Sequence, residues 1–518
     1  MKWKNKFRIV GNGLFHILIL LLIILSFSLN WGINNYGNIG FAEIVFTLNM
    51  PLMGTSDSLI NSYISDGLIP AAIVSVVWLL LFLWPAKNTY LMEMRVGKKS
   101  FEIRLFPFRL KAWIKLFILV CWTALLVIIA DKSFEFCDYI VSQIQQSKLI
   151  EEEYVDPAET SIVFPEEKRN LIMIYIESGE TTAQDTANGG VFENNYIPEM
   201  TQIARDNISF SQSELIEGAC VAPATGWTMA ALVAETSGLP LKMWEYDDTS
   251  GADNAMRKYA TFMPGATTLG DILEEQGYKN VFMAGSNFKF GGRTNYFTQH
   301  GNYEIWDYVY AKEIGKIPED YKVWWGFEDE KLYTYAKEEI LELAEGDQPF
   351  NFSMLTVDTH HQNGYVCELC EDLWGDQYAN VWSCASKQLN EFVEWLKQQD
   401  FYENTTVVIV GDHGSMDSDF YADLKYEKHE GDTVRKVYNA FVNSAVEPVN
   451  EENRQFTTLD FFPTILASLG VEIEGERLGL GTNLFSEEET LSEKYGYEYL
   501  FTELNKKSRF YDYEILYP

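Results

Sequence analysis

Three stretches of the chain are apolar over lengths that can cross a bilayer, and beyond them the pattern breaks into shorter runs. The long runs cover residues 10–29, 67–84 and 112–130. Residues 133–150 then read as an amphipathic helix, and a linker with two prolines carries the chain to about residue 168. From 169 onward, buried-strand patterns alternate with helical ones. NLIMIYI at 170, VFMAG at 281, FNFSMLTVD at 350 and TTVVIVG at 405 are continuous apolar or β-branched runs of strand length. TTLGDILEEQG, EKLYTYAKEEILELAEG and ASKQLNEFVEWLKQQ lie between or beside them; in the last, Leu389, Phe392, Val393 and Leu396 share one helix face. Continuous rather than alternating apolar strands, separated by helices, predict an α/β sandwich with a mainly parallel central sheet. Three parts are therefore expected: a helical transmembrane domain over 1–130, a helix and linker over 131–168, and an α/β domain over 169–518.

Charge orients these parts. Lys2, Lys4, Lys6 and Arg8 precede the first apolar run, and Lys87, Arg95, Lys98, Lys99, Arg104, Arg109 and Lys111 lie between the second and third. Residues 31–67 contain no Lys or Arg. The positive-inside rule puts the N-terminus and the 86–111 loop in the cytoplasm and everything after about 130 outside, as in a multi-pass protein of a bacterial inner membrane. A cleaved signal peptide fits poorly, because no small-residue cleavage site follows the first run and two more runs do. Residues 39–53 are apolar but hold Glu43, Asn49 and Pro51. They read as a helix lying at the outer membrane face. SFEIRLF, in the cytoplasmic loop, alternates as one arm of a hairpin would. Residues 131–518 hold 28 Lys and Arg against 70 Asp and Glu. So acidic an exterior excludes nucleic acid as a partner.

Candidate chemistry gathers at strand ends, where open α/β sheets bind ligands. Asp412 and His413 follow the strand TTVVIVG, and Glu177 follows NLIMIYI, so two buried strands can bring oxygen and nitrogen ligands to one sheet edge. In VAPATGWTMAALVAETSG, Thr225 and Thr228 precede or open an Ala-rich helical stretch, where a hydroxyl would meet unpaired backbone donors that favour a phosphate or sulfate. A mixed oxygen and nitrogen set accepts Mn²⁺, Mg²⁺ or Zn²⁺.

The ordered motifs IYIESGE, ATGWTMAALVAETSGLPL, TVDTHHQNGY, VVIVGDHGSMD and TTLDFFPTILASLG resemble those of membrane-bound phosphoglycerol transferases. These include lipoteichoic acid synthases and periplasmic glucan-modifying enzymes, within the alkaline phosphatase and sulfatase superfamily. The resemblance covers about residues 165–490. It implies an extracytoplasmic sulfatase-like sandwich whose residues 471–484 add a small C-terminal sheet. It also implies one divalent metal, manganese before magnesium or zinc, held by Glu177, Thr225, Asp412 and His413. Thr225 takes the position of the family nucleophile, with Thr228 as the alternative or as a helix cap. His360 corresponds to a histidine that contacts substrate and protonates the leaving group, and Arg293 to a phosphate-contacting arginine; His429 is a further substrate contact. The implied reaction takes phosphoglycerol from phosphatidylglycerol, passes it through the threonine with release of diacylglycerol, and delivers it to a glycan.

Two features qualify this pattern. Lipoteichoic acid synthases carry a histidine shortly after the strand matching VFMAG, where this chain has Ala284, so a glucan-type acceptor is favoured. Phosphoethanolamine transfer and sulfatase-like phosphodiester hydrolysis are the rivals; VAPATGWT lacks the C/S-x-P/A-x-R context that a formylglycine sulfatase needs. A scaffold without activity would require missing ligands. Of six cysteines, Cys121 lies in the third apolar run and Cys137 just beyond it, and Cys220, Cys367, Cys370 and Cys384 lie in the 169–518 domain. Cys367, Cys370 and Cys384 downstream of His360 and His361 could mimic a zinc cluster, but outside the cytoplasm disulfides are the expectation, with three connectivities open.

Overall fold

A computed structural model describes residues 2–36, 39–49, 57–83, 90–96, 99–106, 110–242, 261–417, 420–421 and 435–518. The chain divides into two compact units, residues 1–40 with 56–138, and residues 41–55 with 139–518.

In the first unit three helices are long and apolar enough to cross a membrane: Val10–Tyr36, Ser58–Leu83 and Ala112–Phe134. The second begins nine residues before the apolar run at 67. Its first turns carry Asn61, Ser62, Ser65 and Asp66, which dilute the hydropathy without ending the helix, and Ser62 and Ser65 return hydrogen bonds to Leu59 O and Ser62 O. Phe15, Ile19, Leu22, Ile23 and Ala71 form the contact between helices, and Trp78 Nε1 donates to His16 Nδ1 at 3.1 Å. The expected hairpin is present as antiparallel strands Tyr90–Val96 and Lys99–Phe106. A multi-pass helical anchor followed by a separate, larger acidic unit matches the orientation read from charge, with the larger unit outside the cytoplasm.

The second unit is built on a six-stranded sheet. In spatial order its strands are Asn439–Val442, Thr405–Gly411, Asn170–Ile176, Phe350–Leu355, Lys279–Ala284 and Glu304–Trp306. All neighbours are parallel except the edge pair Asn439–Val442 and Thr405–Gly411. Successive side chains of a strand point to opposite faces, and both faces here are covered. Leu171, Met173, Tyr175, Val408 and Val410 enter one core; Ile172, Ile174, Ile176, Val407 and Ile409 enter the other. Every residue of Thr405–Gly411 is buried, which explains why its sequence is continuously apolar or β-branched. Helix Gln377–Leu396 packs Leu389, Phe392, Val393 and Leu396 into the second core. It starts eight residues before the apolar periodicity at 385, where the Asp376 carboxylate accepts from Ala379 N at 3.0 Å.

Three expectations change. Helix Phe41–Asn49 groups with the catalytic unit rather than with the spans, and Phe41 meets Tyr139 with ring centroids 5.1 Å apart. The amphipathic helix expected over 133–150 is broken into Phe136–Ser142 and Leu149–Glu153, and Leu149 and Ile150 enter the first core. The linker is likewise anchored: Ile162–Val163 pairs with Glu472–Ile473, so residues 471–484 contribute this short ladder and a hairpin of Arg477–Leu478 with Gly481–Thr482 rather than one small sheet.

Candidate active site

Register assembles the site. Ile176 pairs with Gly411 across two parallel strands, so the next residues, Glu177 and Asp412, leave the sheet side by side. The chains then nearly touch: a Cβ on Gly411 would lie 1.6 Å from Gly179 O, so only glycine fits. Ser178, at φ +57°, turns its N–H onto Asp412 Oδ1 at 2.8 Å and its hydroxyl onto Glu177 Oε1 at 3.0 Å. His413 N donates to the same Asp412 oxygen at 2.7 Å. The other oxygen, Asp412 Oδ2, is buried without a hydrogen-bond partner.

His413 completes the group. Its Nδ1 donates to Gly414 O at 2.9 Å, and Nε2 turns inward, 3.5 Å from Glu177 Oε1 and 3.4 Å from Asp412 Oδ2, where it offers a lone pair once its proton is displaced. Glu177, Asp412 and His413 offer three ligand atoms within 4.8 Å of one another, all buried. The orphaned Asp412 oxygen, a second carboxylate and an imidazole lone pair fit a divalent cation of intermediate hardness. Electrostatics points the same way. Burial pushes the Asp412 carboxyl up to about 7, reinforced by the Glu177 charge beside it. Burial alone would lower His413, but Asp412 and Glu177 outweigh it and hold the imidazole at about 9. Glu177 is opposed by burial too, yet His360, His413, the Ser178 hydroxyl and Arg293 keep it below the usual carboxylate range.

The threonines separate. Thr228 opens helix Thr228–Ser237 and sets its Oγ1 3.3 Å from Glu177 Oε2 and 3.4 Å from His413 Nε2. Thr225, expected as ligand and nucleophile, is instead fully buried: its hydroxyl donates to Ala222 O at 2.8 Å and accepts from Thr458 Oγ1 at 3.1 Å. Residues 222–225 close into a turn with Ala224 at φ +59°, and the extended Trp227 (φ −142°, ψ 156°) then delivers Thr228 to the cluster. Thr228 is not the helix cap, since it lies one residue inside the end.

Around this group, Arg293 is buried, with Nη2 donating to Ser286 Oγ at 3.2 Å and Asn287 O at 3.0 Å and Nε to Phe290 O at 3.1 Å. Burial lowers its guanidinium to about 10, against the pull of Glu177, Asp307 and Asp412. Asp307 holds the same loop by accepting from Phe288 N at 2.9 Å. His360 Nδ1 lies 2.6 Å from His361 O, which leaves Nε2 for other partners; burial lowers its pKa while Glu177 opposes that. His361 stacks on it, ring centroids 4.5 Å apart. His429 lies outside the described residues.

Several contributors carry no motif signal. Trp325 packs against His360 at 4.7 Å and Phe290 at 5.5 Å, walling the side where Arg293 enters. Glu180, fully buried, accepts from Ser415 N at 3.0 Å and from Arg435 Nε at 2.7 Å, and so clamps the turn after His413. Glu43 is buried on Phe41–Asn49; burial raises its carboxyl to about 8, and its charge reaches His413. The apolar spacing of that helix hints at burial but not at what covers it.

A parallel-sheet edge presenting two carboxylates, an imidazole and a hydroxyl at a helix N-terminus is a candidate metal-coordinating cluster that fits a phosphate- or sulfate-ester enzyme. The chain belongs to the sulfatase family, whose model matches residues 169–471. Within it the chain is similar to phosphoglycerol transferase I of Xanthomonas campestris pv. campestris (strain B100), 29% identical over 327 residues, covering 62% of this chain and 43% of that protein. It is also similar to phosphoglycerol transferase I of Escherichia fergusonii, 31% identical over 278 residues, covering 51% of this chain and 33% of that protein. This is the branch that the motifs resemble. The chain thus spans less than half the length of these relatives. Among solved structures, a lipoteichoic acid synthase from Listeria monocytogenes aligns over 66% of this chain and 82% of its own, with 18% identity and a TM-score of 0.48.

Proposed function

We propose that this protein transfers phosphoglycerol from phosphatidylglycerol to a glycan hydroxyl, with Thr228 as the covalent carrier. The observation that carries this reading is the Thr228 hydroxyl, set at a helix N-terminus against Glu177 Oε2 and His413 Nε2. Similarity to phosphoglycerol transferase I supports the head group, and the three apolar helices support a lipid donor drawn from the outer leaflet. The two compact units, 1–40 with 56–138 and 41–55 with 139–518, support a membrane anchor followed by a catalytic unit. A divalent cation held by Glu177, Asp412 and His413, manganese first with magnesium and zinc as alternatives, supplies positive charge for the threonine oxygen and the phosphoryl group.

The chain's own residues do the rest. Thr228 Oγ1 gives its proton to Glu177 Oε2 and attacks phosphorus; a phosphorus–oxygen bond forms to Thr228 as that to diacylglycerol breaks. His360 Nε2 protonates the departing oxygen. In the second half, the glycan hydroxyl gives its proton to His360 Nε2 and displaces Thr228, which recovers its proton from Glu177. Arg293 faces the phosphoryl oxygens through the nitrogen that its loop bonds leave available, while its other bonds fix the planar fork. His429 is retained as a substrate contact.

The test uses the full chain in detergent with manganese and labelled phosphatidylglycerol. Thr228→Ala loses the covalent adduct and turnover, whereas Thr225→Ala keeps both. Peptide mapping that finds phosphoglycerol on Thr225, or unchanged turnover in Thr228→Ala, overturns the assignment. Faster release of diacylglycerol from phosphatidylethanolamine than from phosphatidylglycerol overturns the head group in favour of phosphoethanolamine transfer, and label lost only to water with every glycan supplied overturns the acceptor in favour of hydrolysis.

A further inference from the structure

A second cluster of ligand-type side chains lies apart from the carboxylates, on the segment that follows His360. Cys367, Cys370 and Cys384 bring their sulfurs together, Cys367 Sγ lying 3.6 Å from Cys370 Sγ and 3.7 Å from Cys384 Sγ. All three are free thiols, and Cys367 and Cys384 are 6% and 7% exposed. Cys220, the fourth cysteine of the same unit, is elsewhere, against the Gln212 amide. Three sulfurs cannot all be satisfied by one disulfide, so any single pairing among them leaves one thiol over.

The spacing itself is informative. Zinc binds thiolate at about 2.3 Å in tetrahedral geometry, which separates neighbouring sulfurs by about 3.8 Å. The two measured separations are within about 0.2 Å of that edge. Local structure supports a ligand-ready turn: Cys370 N donates to Cys367 O at 3.2 Å, and the N–H groups of Leu369 and Cys370 turn toward Cys367 Sγ. One helical turn beyond Cys384, Gln388 lies on the same face of Gln377–Leu396 and is 7% exposed. Its amide nitrogen is 3.3 Å from Cys384 Sγ and 3.8 Å from Cys367 Sγ, while its Oε1, buried, has no hydrogen-bond partner. A half-turn of the amide exchanges its nitrogen and oxygen and turns the unpartnered oxygen onto the sulfurs.

We propose that Cys367, Cys370 and Cys384, with the Gln388 amide oxygen as fourth donor, form a structural site for a soft divalent cation of the zinc type, distinct from the Glu177, Asp412 and His413 centre. On binding, the three thiols release their protons to solvent and no oxidant is needed. The site ties the 356–376 segment, which carries His360, to helix Gln377–Leu396. At its other end the segment is held by Asp329, whose carboxylate accepts from Val357 N at 2.8 Å and Asp358 N at 2.9 Å. His360 is thereby gripped from both sides.

The full chain, purified in detergent under reducing conditions and stripped of metal, is titrated with Co²⁺. Thiolate-to-cobalt charge-transfer absorption in the near ultraviolet is expected, saturating at one equivalent and displaced by Zn²⁺. The carboxylate and imidazole centre has no sulfur and cannot produce that band. Asp412→Asn keeps it, Cys384→Ser loses it, and Gln388→Ala weakens Co²⁺ affinity by roughly tenfold or more, as loss of a supporting group does. Wild-type spectra decide the matter even where a cysteine variant does not fold. Absence of the band in reduced wild-type protein, its survival in Cys384→Ser, or a Cys384 disulfide to Cys367 or Cys370 in protein isolated without reductant overturns the proposal.

Discussion

Two groups of metal-type ligands stand on the same catalytic unit and differ in chemistry and in how they are made. Glu177, Asp412 and His413 are brought together across two parallel strands, from positions more than 230 residues apart, and every atom's place is set by sheet register and by backbone that only glycine permits. Cys367, Cys370 and Cys384 come from one turn and one helix within 18 residues. The first group is hard and charged, with an orphaned carboxylate oxygen and a hydroxyl poised beside it. The second is soft, and the groups around it are a backbone turn and a buried amide. The difference teaches that register across a sheet can bring hard, charged ligands together from distant positions, whereas a local turn and helix suffice to gather sulfurs.

The comparison breaks most visibly through Asp412. Asp412→Asn removes a charged ligand, and turnover is expected to fall on the order of 10³-fold, as when a group that stabilises transition-state charge is lost. Chelation followed by manganese should restore wild-type protein but not the variant; equal rates in radiolabelled transfer assays would remove Asp412 from the centre.

A smaller effect is expected at the sulfur group. Cys384→Ser should leave transfer within about tenfold of wild type, the scale of a group that orients rather than reacts. Its main cost is in stability: an unfolding midpoint lower by roughly 1 °C for each kcal/mol lost, as the entropy of unfolding so large a unit implies, read by thermal denaturation of the detergent-solubilised chain. Loss of turnover as deep as that of Asp412→Asn, with the fold intact, would make the two groups equivalent in function and refute the contrast.

The smallest effect sharpens the picture beneath the first group. Glu235, on the helix that Thr228 opens, is fully buried with both carboxylate oxygens unpartnered. Burial, then the Asp412 charge, raises its pKa well above the ordinary carboxyl value. Its folded-state pKa therefore exceeds the unfolded one. The contribution to stability is complete below the unfolded value of about 4.3 and is lost progressively as pH rises from there through the folded value. Wild-type unfolding midpoints should decline from pH 5 to pH 8 more steeply than those of Glu235→Gln. Parallel profiles in calorimetry would show that Glu235 does not hold its proton in the folded state.

Much of this architecture was legible in the chain. Continuous apolar runs at 170, 281, 350 and 405 became central strands because a parallel sheet buries both faces, and the even and odd positions of Asn170–Ile176 enter different cores. Glu177 and Asp412 were legible as strand-end carboxylates for the same reason. The three apolar helices followed from length and hydropathy, although Ser58–Leu83 extends through polar turns that periodicity underweights.

What the one-dimensional pattern could not decide was which of two threonines meets the cluster. Thr225 and Thr228 are three residues apart, close enough to share a helix face had the helix begun earlier. A turn at 222–225 and an extended Trp227 intervene, so Thr225 spends its hydroxyl on Ala222 O and Thr458 while Thr228 meets Glu177. Thr458, 233 positions away, takes part in that outcome, and so do Gly179 and Gly411, whose contact sets how closely the two carboxylates approach. The residue types and their periodicity determined the sheet, the spans and the chemical class of the ligands, because those depend on short-range burial. Which threonine meets Glu177 and His413, the grouping of Phe41–Asn49 with the larger unit and the meeting of three sulfurs were decided only in three dimensions, because each depends on side chains and backbone groups that approach one another after the sheet has closed.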